Sequence, residues 1–378
     1  MPSQLLHTLF GEDVILELHR RVSPRFGATA DNALEKIQNI YRKVFALGCQ
    51  GPDIFYHSQL RRPVGLEYGT LLHRQGVGVF TAGLLKMGLP DTAPVSGMNA
   101  LGVYALGFMT HSILDRLTHP YIVFKSDRPP PVTTRRDRSH AFLERIIDTL
   151  MFSLLRGKDI LCWDQNGILA ETCKNPPPGL RELLVRALIQ AFPERAGKDA
   201  KLAYRIENTF LDCADFYHIT DPVFIMTENR QGQSLSVPGS SVPAVSRSRD
   251  LHSVPPQTGH IAYLYPIDLP SDIDFLNLNH HPWYYPAGAE KKDIRSFPEI
   301  YAEAVKAAAD SLAGIITKYL EKGLFPIEDA VRSIGNGGLS IVDEAGKPCA
   351  PCRADPLPLQ ETLEDQMRKR GFCENSSP

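Results

Sequence analysis

Two short segments of this chain carry side chains of the kind that bind metal. His111, Asp115 and His119 stand in HSILDRLTHP, and His140 and Glu144 stand in HAFLERIID. Residues four apart on a helix differ by about 40° around its axis, so each set lines one helix face. Imidazole and carboxylate together are what Zn²⁺ and similar divalent ions bind, and a multi-metal site draws its ligands from several elements. A single HxxxD pair arises often by chance on a solvated helix. Five such residues between positions 111 and 144, in two i,i+4 arrays, point to a metal-dependent hydrolase.

Other residues can join them. His7 falls in the first apolar-periodic stretch, Asp53 in GCQGPDIFYH and His73 in GTLLHRQG. Gly51-Pro52 ahead of Asp53 predicts a turn, a good place from which to aim one carboxylate into a cleft. Pro120 disfavours the α conformation at His119, so the helix bearing His111 and Asp115 is expected to close at His119. Asp148, one turn beyond Glu144, reads as a partner of a ligand or a surface residue.

The elements that must position these residues are helical. Leu5, Leu6, Leu9, Val14, Ile15 and Leu18 share one face of a first helix, and residues 33–45 predict a second. Further helices are expected over 66–86, 98–118, 136–155, 180–191, 201–217 and 297–322, with a short one near 360–369. Alternating β-branched runs are scarce, so the expected fold is an all-α multi-helix bundle. Residues 229–260 are rich in Ser, Pro and Gly and predict a flexible insertion. The helical domain is expected to span 1–334, with 335–378 a tail of low order.

Composition narrows the function classes. The 378 residues can bury a sizeable core, and Lys+Arg 41 against Asp+Glu 43 leaves a net charge of -2. That balance argues against a surface dedicated to coating nucleic acid. The N-terminal stretch lacks the basic start and long apolar middle of a signal peptide, and no run suffices to span a membrane. Seven scattered cysteines fit reduced thiols in a cytoplasm better than a disulfide frame. Cys349 and Cys352 form CAPC, but with no second such pair or nearby His they read as free thiols.

Taken together, His7 near the start, GPDIFYH, LLHR, GFMTHSILDRLTHPY and SHAFLERIIDTL resemble the zinc-dependent phospholipase C family. The likeness is closest to its intracellular bacterial branch, which also carries a segment like LNHHPWYYP. It covers the first 155 residues well and the rest loosely. The resemblance implies a helical fold holding two or three zinc ions. His73, His111 and Asp115 would hold one ion, with Asp115 able to bridge to a neighbour, and His119, His140 and Glu144 a second. His7 would serve a third, and Asp53 would help activate the nucleophilic water. Secreted members use a processed N-terminal Trp on the third ion, whereas this chain begins Met1-Pro2-Ser3.

Phe55, Tyr56, His57 and Trp283 are candidates to flank a substrate. His280, His281, Tyr284 and Tyr285 could wall the same pocket or form a packed aromatic loop. The leading expectation is a cytoplasmic phosphodiester hydrolase acting on a small or phospholipid-like substrate, compatible with peripheral contact at a membrane. Stable complexes with nucleic acid are not expected. One rival is a zinc-dependent single-strand nuclease or nucleotidase, which would need aromatic stacking residues beside the metals. The other is a non-catalytic protein that keeps metals for stability, with every coordination position filled by side chains.

Overall fold

The computed structural model describes residues 4–89, 98–127, 139–220, 265–266, 268–287, 291–322 and 326–369. The expected flexible insertion at 229–260 lies outside them. Within them the helices are α1 (Gln4–Phe26), α2 (Ala28–Glu35), α3 (Arg42–Cys49), α4 (Leu66–Arg74), α5 (Val77–Gly88), α6 (Ala100–Ser126) and α7 (Ser139–Arg156). There follow α8 (Gln165–Lys174), α9 (Leu180–Ala191), α10 (Leu202–Ile219), α11 (Phe297–Lys322), α12 (Ile327–Ile334) and α13 (Leu359–Lys369). A 3₁₀ stretch, Gly51–His57, follows α3. Strand structure among the described residues is limited to a two-stranded antiparallel ribbon pairing Trp283 with Asp293 and Tyr284 with Lys292. The fold is mostly α, as composition and periodicity led one to expect. No helix among the described residues is long and apolar enough to cross a membrane.

Helix α6 is the centre of the molecule. It packs against α1, α3, α5, α7 and α11, and is buried from Gly102 to Asp115 and again from Thr118 to Ser126. A helix covered on all sides is a core helix, and its sequence is correspondingly apolar around its girth. The expected end at His119 is not observed, because α6 runs through Pro120 to Ser126. Proline removes one backbone hydrogen bond, but Tyr121, Ile122, Val123 and Phe124 beyond it are all buried. Their burial contributes several kcal/mol at roughly 1.5–3 per large apolar side chain, which outweighs the local preference.

Two expected helices are divided. The stretch 33–45 breaks where α2 gives way to a widened turn over Lys36–Ile40 and α3 starts at Arg42. The stretch 66–86 breaks at Gln75, which is extended, and Gly76, whose φ of 81° is left-handed. Helices α8 and α12 had no clear signal, being short and supported by packing, α8 on α10 and α3 and α12 on α5. The segment after Gly335, expected to trail away, packs on the body. Leu339, Ile341 and Leu359 are buried, and α13 lies against α7. A few well-placed apolar residues, Leu363 among them, anchor it, which composition averaged over the segment conceals.

Gln50 ties the start of α1 to α3. Its Nε2 lies 3.1 Å from Gln4 O, 3.1 Å from Thr8 Oγ1 and 3.2 Å from Ala46 O, all buried. Gln50→Ala is expected to cost about 2 kcal/mol by stranding these acceptors. The check is the denaturant midpoint, which an unimportant bond would leave in place.

Candidate metal centre

Five elements converge on one region. Helix α1 supplies His7, the 3₁₀ stretch Asp53 and α4 His73. Helix α6 supplies His111, Asp115 and His119, and α7 supplies His140 and Glu144. Their ligand atoms form three groups, His7/His111/Asp115, Asp53/His73/His111 and His119/His140/Glu144, each with its atoms within 4.8 Å of one another. Every residue that sequence spacing and resemblance marked as a ligand belongs to one of these groups.

Asp115 stands between the groups. Its Oδ1 is 3.3 Å from His7 Nε2 and 3.5 Å from His119 Nδ1, and its Oδ2 is 3.0 Å from His111 Nε2 and 3.8 Å from His73 Nε2. Asp53 faces the same histidines. Its Oδ1 is 2.9 Å from His73 Nε2, and its Oδ2 is 3.6 Å from His111 Nε2 and 3.8 Å from His7 Nε2. Glu144 Oε1 is 3.2 Å from His140 Nε2 and 3.6 Å from His119 Nε2. Ligand atoms on a tetrahedral zinc with bonds of 2.0–2.1 Å lie roughly 3.4 Å apart, and these separations straddle that value. Both Asp53 oxygens, His111 Nε2 and Asp115 Oδ2 are buried and have no hydrogen-bond partner among the described residues. Buried lone pairs left without a donor this close together are available to a shared cation. The donor set therefore fits a bound cation.

The imidazoles are oriented from behind. His111 Nδ1 lies 3.3 Å from Cys49 O, His73 Nδ1 2.8 Å from Gly69 O, and His140 Nδ1 3.2 Å from Asp127 Oδ1. An acceptor at Nδ1 holds the proton there and leaves the Nε2 lone pair for a metal. Asp127 was not singled out from the sequence, since it lies on a different element from His140 and no local spacing joins them. Gly51 matters for a steric reason. A Cβ there would sit 2.3 Å from His111 Cγ, and its φ of 55° is left-handed. Asp148 is buried behind α1, where its Oδ1 accepts from Leu6 N at 2.8 Å and its Oδ2 from Arg145 Nη1 at 3.1 Å. It thus steadies the helix that carries His7 and joins none of the three ligand groups.

Charge and burial compete at every member. Burial alone would raise Asp53 and Asp115, but His111 beside both, with His73 near the one and His119 near the other, holds them below the usual carboxylate range. Burial would lower His7 and His73, yet Asp115 beside His7 and Asp53 beside His73 raise both above 6.5. His140 is pushed up to about 9 against its own burial, by Glu144 and then Asp127. His119 goes the other way, because its burial outweighs Asp115 and Glu144.

The aromatic candidates are placed differently. Phe55 is fully buried and packs on Tyr68 with ring centroids 6.4 Å apart, so it is a core residue. His57 is buried and stacked on Phe216 at 3.9 Å, and burial pushes it down to about 3, which keeps it neutral. Trp283 is buried against Tyr121 and donates from Nε1 to Arg295 O at 3.1 Å. His280 and His281 are exposed. Tyr56 alone of the four flanking candidates stands at the site, half-buried with its ring 4.5 Å from that of His73. Cys349 and Cys352 are free and join none of the three ligand groups.

Comparison with known proteins finds no matching family model, curated protein or solved structure.

His7, His73 and His140 lie above their ordinary value, so without an ion each binds a proton more readily than a free imidazole, and His140, at about 9, holds one at pH 7. Adding Zn²⁺ to the metal-free protein should therefore release protons, and metal retention should weaken as pH falls, because protons and ions compete for the same lone pairs. A pH indicator follows the first effect, and chelator-driven zinc loss at pH 5.5 and pH 8 the second. Equal loss at both values would contradict this reading. Gly51→Ala should cost about 1–3 kcal/mol through backbone strain and displace His111. Elemental analysis should then find less metal per chain than in the wild type.

Proposed function

We propose that this chain is a metal-dependent phosphodiester hydrolase of the zinc phospholipase C type, with a di- or trinuclear zinc centre. One observation carries the reading: three adjoining His/Asp/Glu groups are drawn from five elements, two of them share His111, and Asp115 reaches from these to His119 of the third. An imidazole-rich donor mixture suits zinc. Bound divalent ions would stabilise charge developing on phosphoryl oxygens and lower the pKa of water.

The protein's own residues have separable parts in this scheme. Asp115, with one oxygen toward His7 and His119 and the other toward His111 and His73, sets the spacing between the groups. Asp53 is unprotonated at neutral pH, held so by His111 and His73. A carboxylate with a depressed pKa is a weak base, so its contribution is chiefly to orient the attacking water through an accepted hydrogen bond. The site opens to solvent beside His73 and His140, whose side chains are 13% and 24% exposed, while His111 and Asp53 lie deeper at 0% and 2%. Tyr56 would then flank the approaching substrate. A small or phospholipid-like phosphodiester fits better than long nucleic acid, given the net charge of -2. The protein would work in the cytoplasm, with contact at a membrane surface peripheral.

A non-catalytic metal protein is the second reading, favoured by the deep burial of His7, Asp53, His111 and Asp115. An assay with short-chain phosphatidylcholine, a chromogenic phosphodiester and single-stranded DNA separates the possibilities. Cleavage should be abolished by a chelator and restored by Zn²⁺. Asp53→Asn should lower turnover by about 10²–10⁴-fold while most zinc stays bound; outright loss of zinc would make Asp53 first of all a ligand. Chelator-sensitive cleavage of DNA alone would favour a nuclease, and no cleavage at full metal occupancy the non-catalytic reading. Glu144→Gln should empty the His119/His140/Glu144 group, read as fewer ions per chain.

A further inference from the structure

Arg116 follows Asp115 on α6, and its guanidinium gathers the end of α12. It donates to the carbonyls of Ile334, Gly335 at 2.9 Å, Gly337 at 3.3 Å and Gly338 at 3.2 Å. A helix C-terminus leaves carbonyls unpaired and favours a cation, and a planar guanidinium can serve several of them at once. Those carbonyls lead into a strap, Gly335–Leu339, reading GNGGL. The strap also holds the corner between α4 and α5. Gly76 N donates to Asn336 O at 3.1 Å, Val79 N to Asn336 Oδ1 at 3.1 Å, and Leu339 N to His73 O at 2.9 Å.

Five residues of backbone thus connect the neighbour of Asp115 to the main chain of His73. His73 lies in the last turn of α4, where its carbonyl has no partner within the helix, and Leu339 supplies one. The strap is one contact that ties this end of α4 to α6, beside the packing of α4 on the 3₁₀ stretch, and the His73 side chain delivers Nε2 to within 2.9 Å of Asp53 Oδ1. Ligand geometry is demanding, and a displacement of a few tenths of an ångström at one ligand weakens an ion's hold. We propose that Arg116 is a positioning residue which, through the Gly335–Leu339 strap, keeps His73 in register with Asp115 and so sets how tightly the Asp53/His73/His111 group holds its ion. This rests on the reading of the site as a metal centre. It adds a role for a segment that touches none of the ligand atoms.

The test times zinc release from the reconstituted full-length protein into excess chelator, followed with a metallochromic dye. The variants are Arg116→Ala, Arg116→Lys and Asn336→Ala. In Arg116→Ala one ion should leave at least tenfold faster, while the ion of the His119/His140/Glu144 group leaves at the wild-type rate. Arg116→Lys should behave nearly as Arg116→Ala, since an ammonium cannot bridge the four carbonyls. Millimolar guanidinium should slow release from Arg116→Ala only, a rescue that a general loss of stability would not show. A helical Arg116→Ala protein with wild-type release of every ion overturns the proposal. If Arg116→Ala does not fold, Asn336→Ala decides, with several-fold faster release of the same ion expected and an unchanged rate overturning it. A wild-type protein that binds no zinc would end the metal reading and this inference together, whereas a zinc-loaded protein indifferent to both variants ends only the inference.

Discussion

Three carboxylates, those of Asp53, Asp115 and Glu144, are almost completely removed from water in one region of the molecule. An uncompensated charge in a protein interior costs several kcal/mol even after relaxation, comparable with the whole stability of an ordinary domain. Positive charge must therefore stand beside them. The five surrounding imidazoles supply some when protonated, but burial opposes their charging, and it prevails at His119. His7 and His111 are moreover stacked with ring centroids 4.0 Å apart, an arrangement that disfavours two cations. Divalent ions would satisfy carboxylates and neutral imidazoles at once, which protons cannot do. The need to bring one compensating centre to these carboxylates governs the surrounding architecture.

The helices that carry the candidate ligands are tied to each other by polar contacts as well as by apolar packing. Asp148 on α7 accepts from Leu6 N on α1, and Arg156 on α7 donates to Asp13 Oδ1 on α1 at 2.7 Å. Tyr301 of α11 donates to the other oxygen of Asp13 at 2.8 Å, which joins a third helix to the pair. Each of these fixes a backbone that carries His7, His140 or Glu144, members of the candidate groups. Side chains held by packing alone retain rotamer freedom that a bound ion would not tolerate.

The clustered His, Asp and Glu residues were legible in the sequence because helical spacing is local. Once His111, Asp115 and His119 are four apart, their shared face follows from geometry alone. His119, His140 and Glu144 come together in one group that could hold an ion, and His73 lies near His111 and Asp115. Asp53, expected chiefly to activate water, is in addition packed among the ligand atoms. What could not be read is what depends on distant chain. The carbonyls of Cys49 and Gly69 and the carboxylate of Asp127, which orient three imidazoles, leave no pattern. The continuation of α6 past Pro120 and the packing of the last segment are likewise tertiary outcomes that override local preference. The break at Gly76 did have a local signal, a glycine inside a helical pattern, though such glycines are often tolerated.

The aromatic segment LNHHPWYYP shows how a motif can serve the site without touching it. Trp283 packs edge-on against Tyr121 and near Phe124, the first residues of α6 beyond Pro120. Tyr121 is further held by donating to Phe275 O at 2.9 Å. The carbonyls at the end of the same turn are satisfied by the chain's last segment, Asp355 N donating to Phe124 O and Leu357 N to Lys125 O, each at 2.9 Å. Together these contacts sustain a helical turn that proline would otherwise unravel. That turn ends at Ser126 and Asp127, whose side chains meet His140 Nδ1. A chain of contacts thus runs from Trp283 through the turn after the proline to Asp127, then to the imidazole that faces Glu144. Burial of the tryptophan is what lets it bear on the geometry of the His119/His140/Glu144 group.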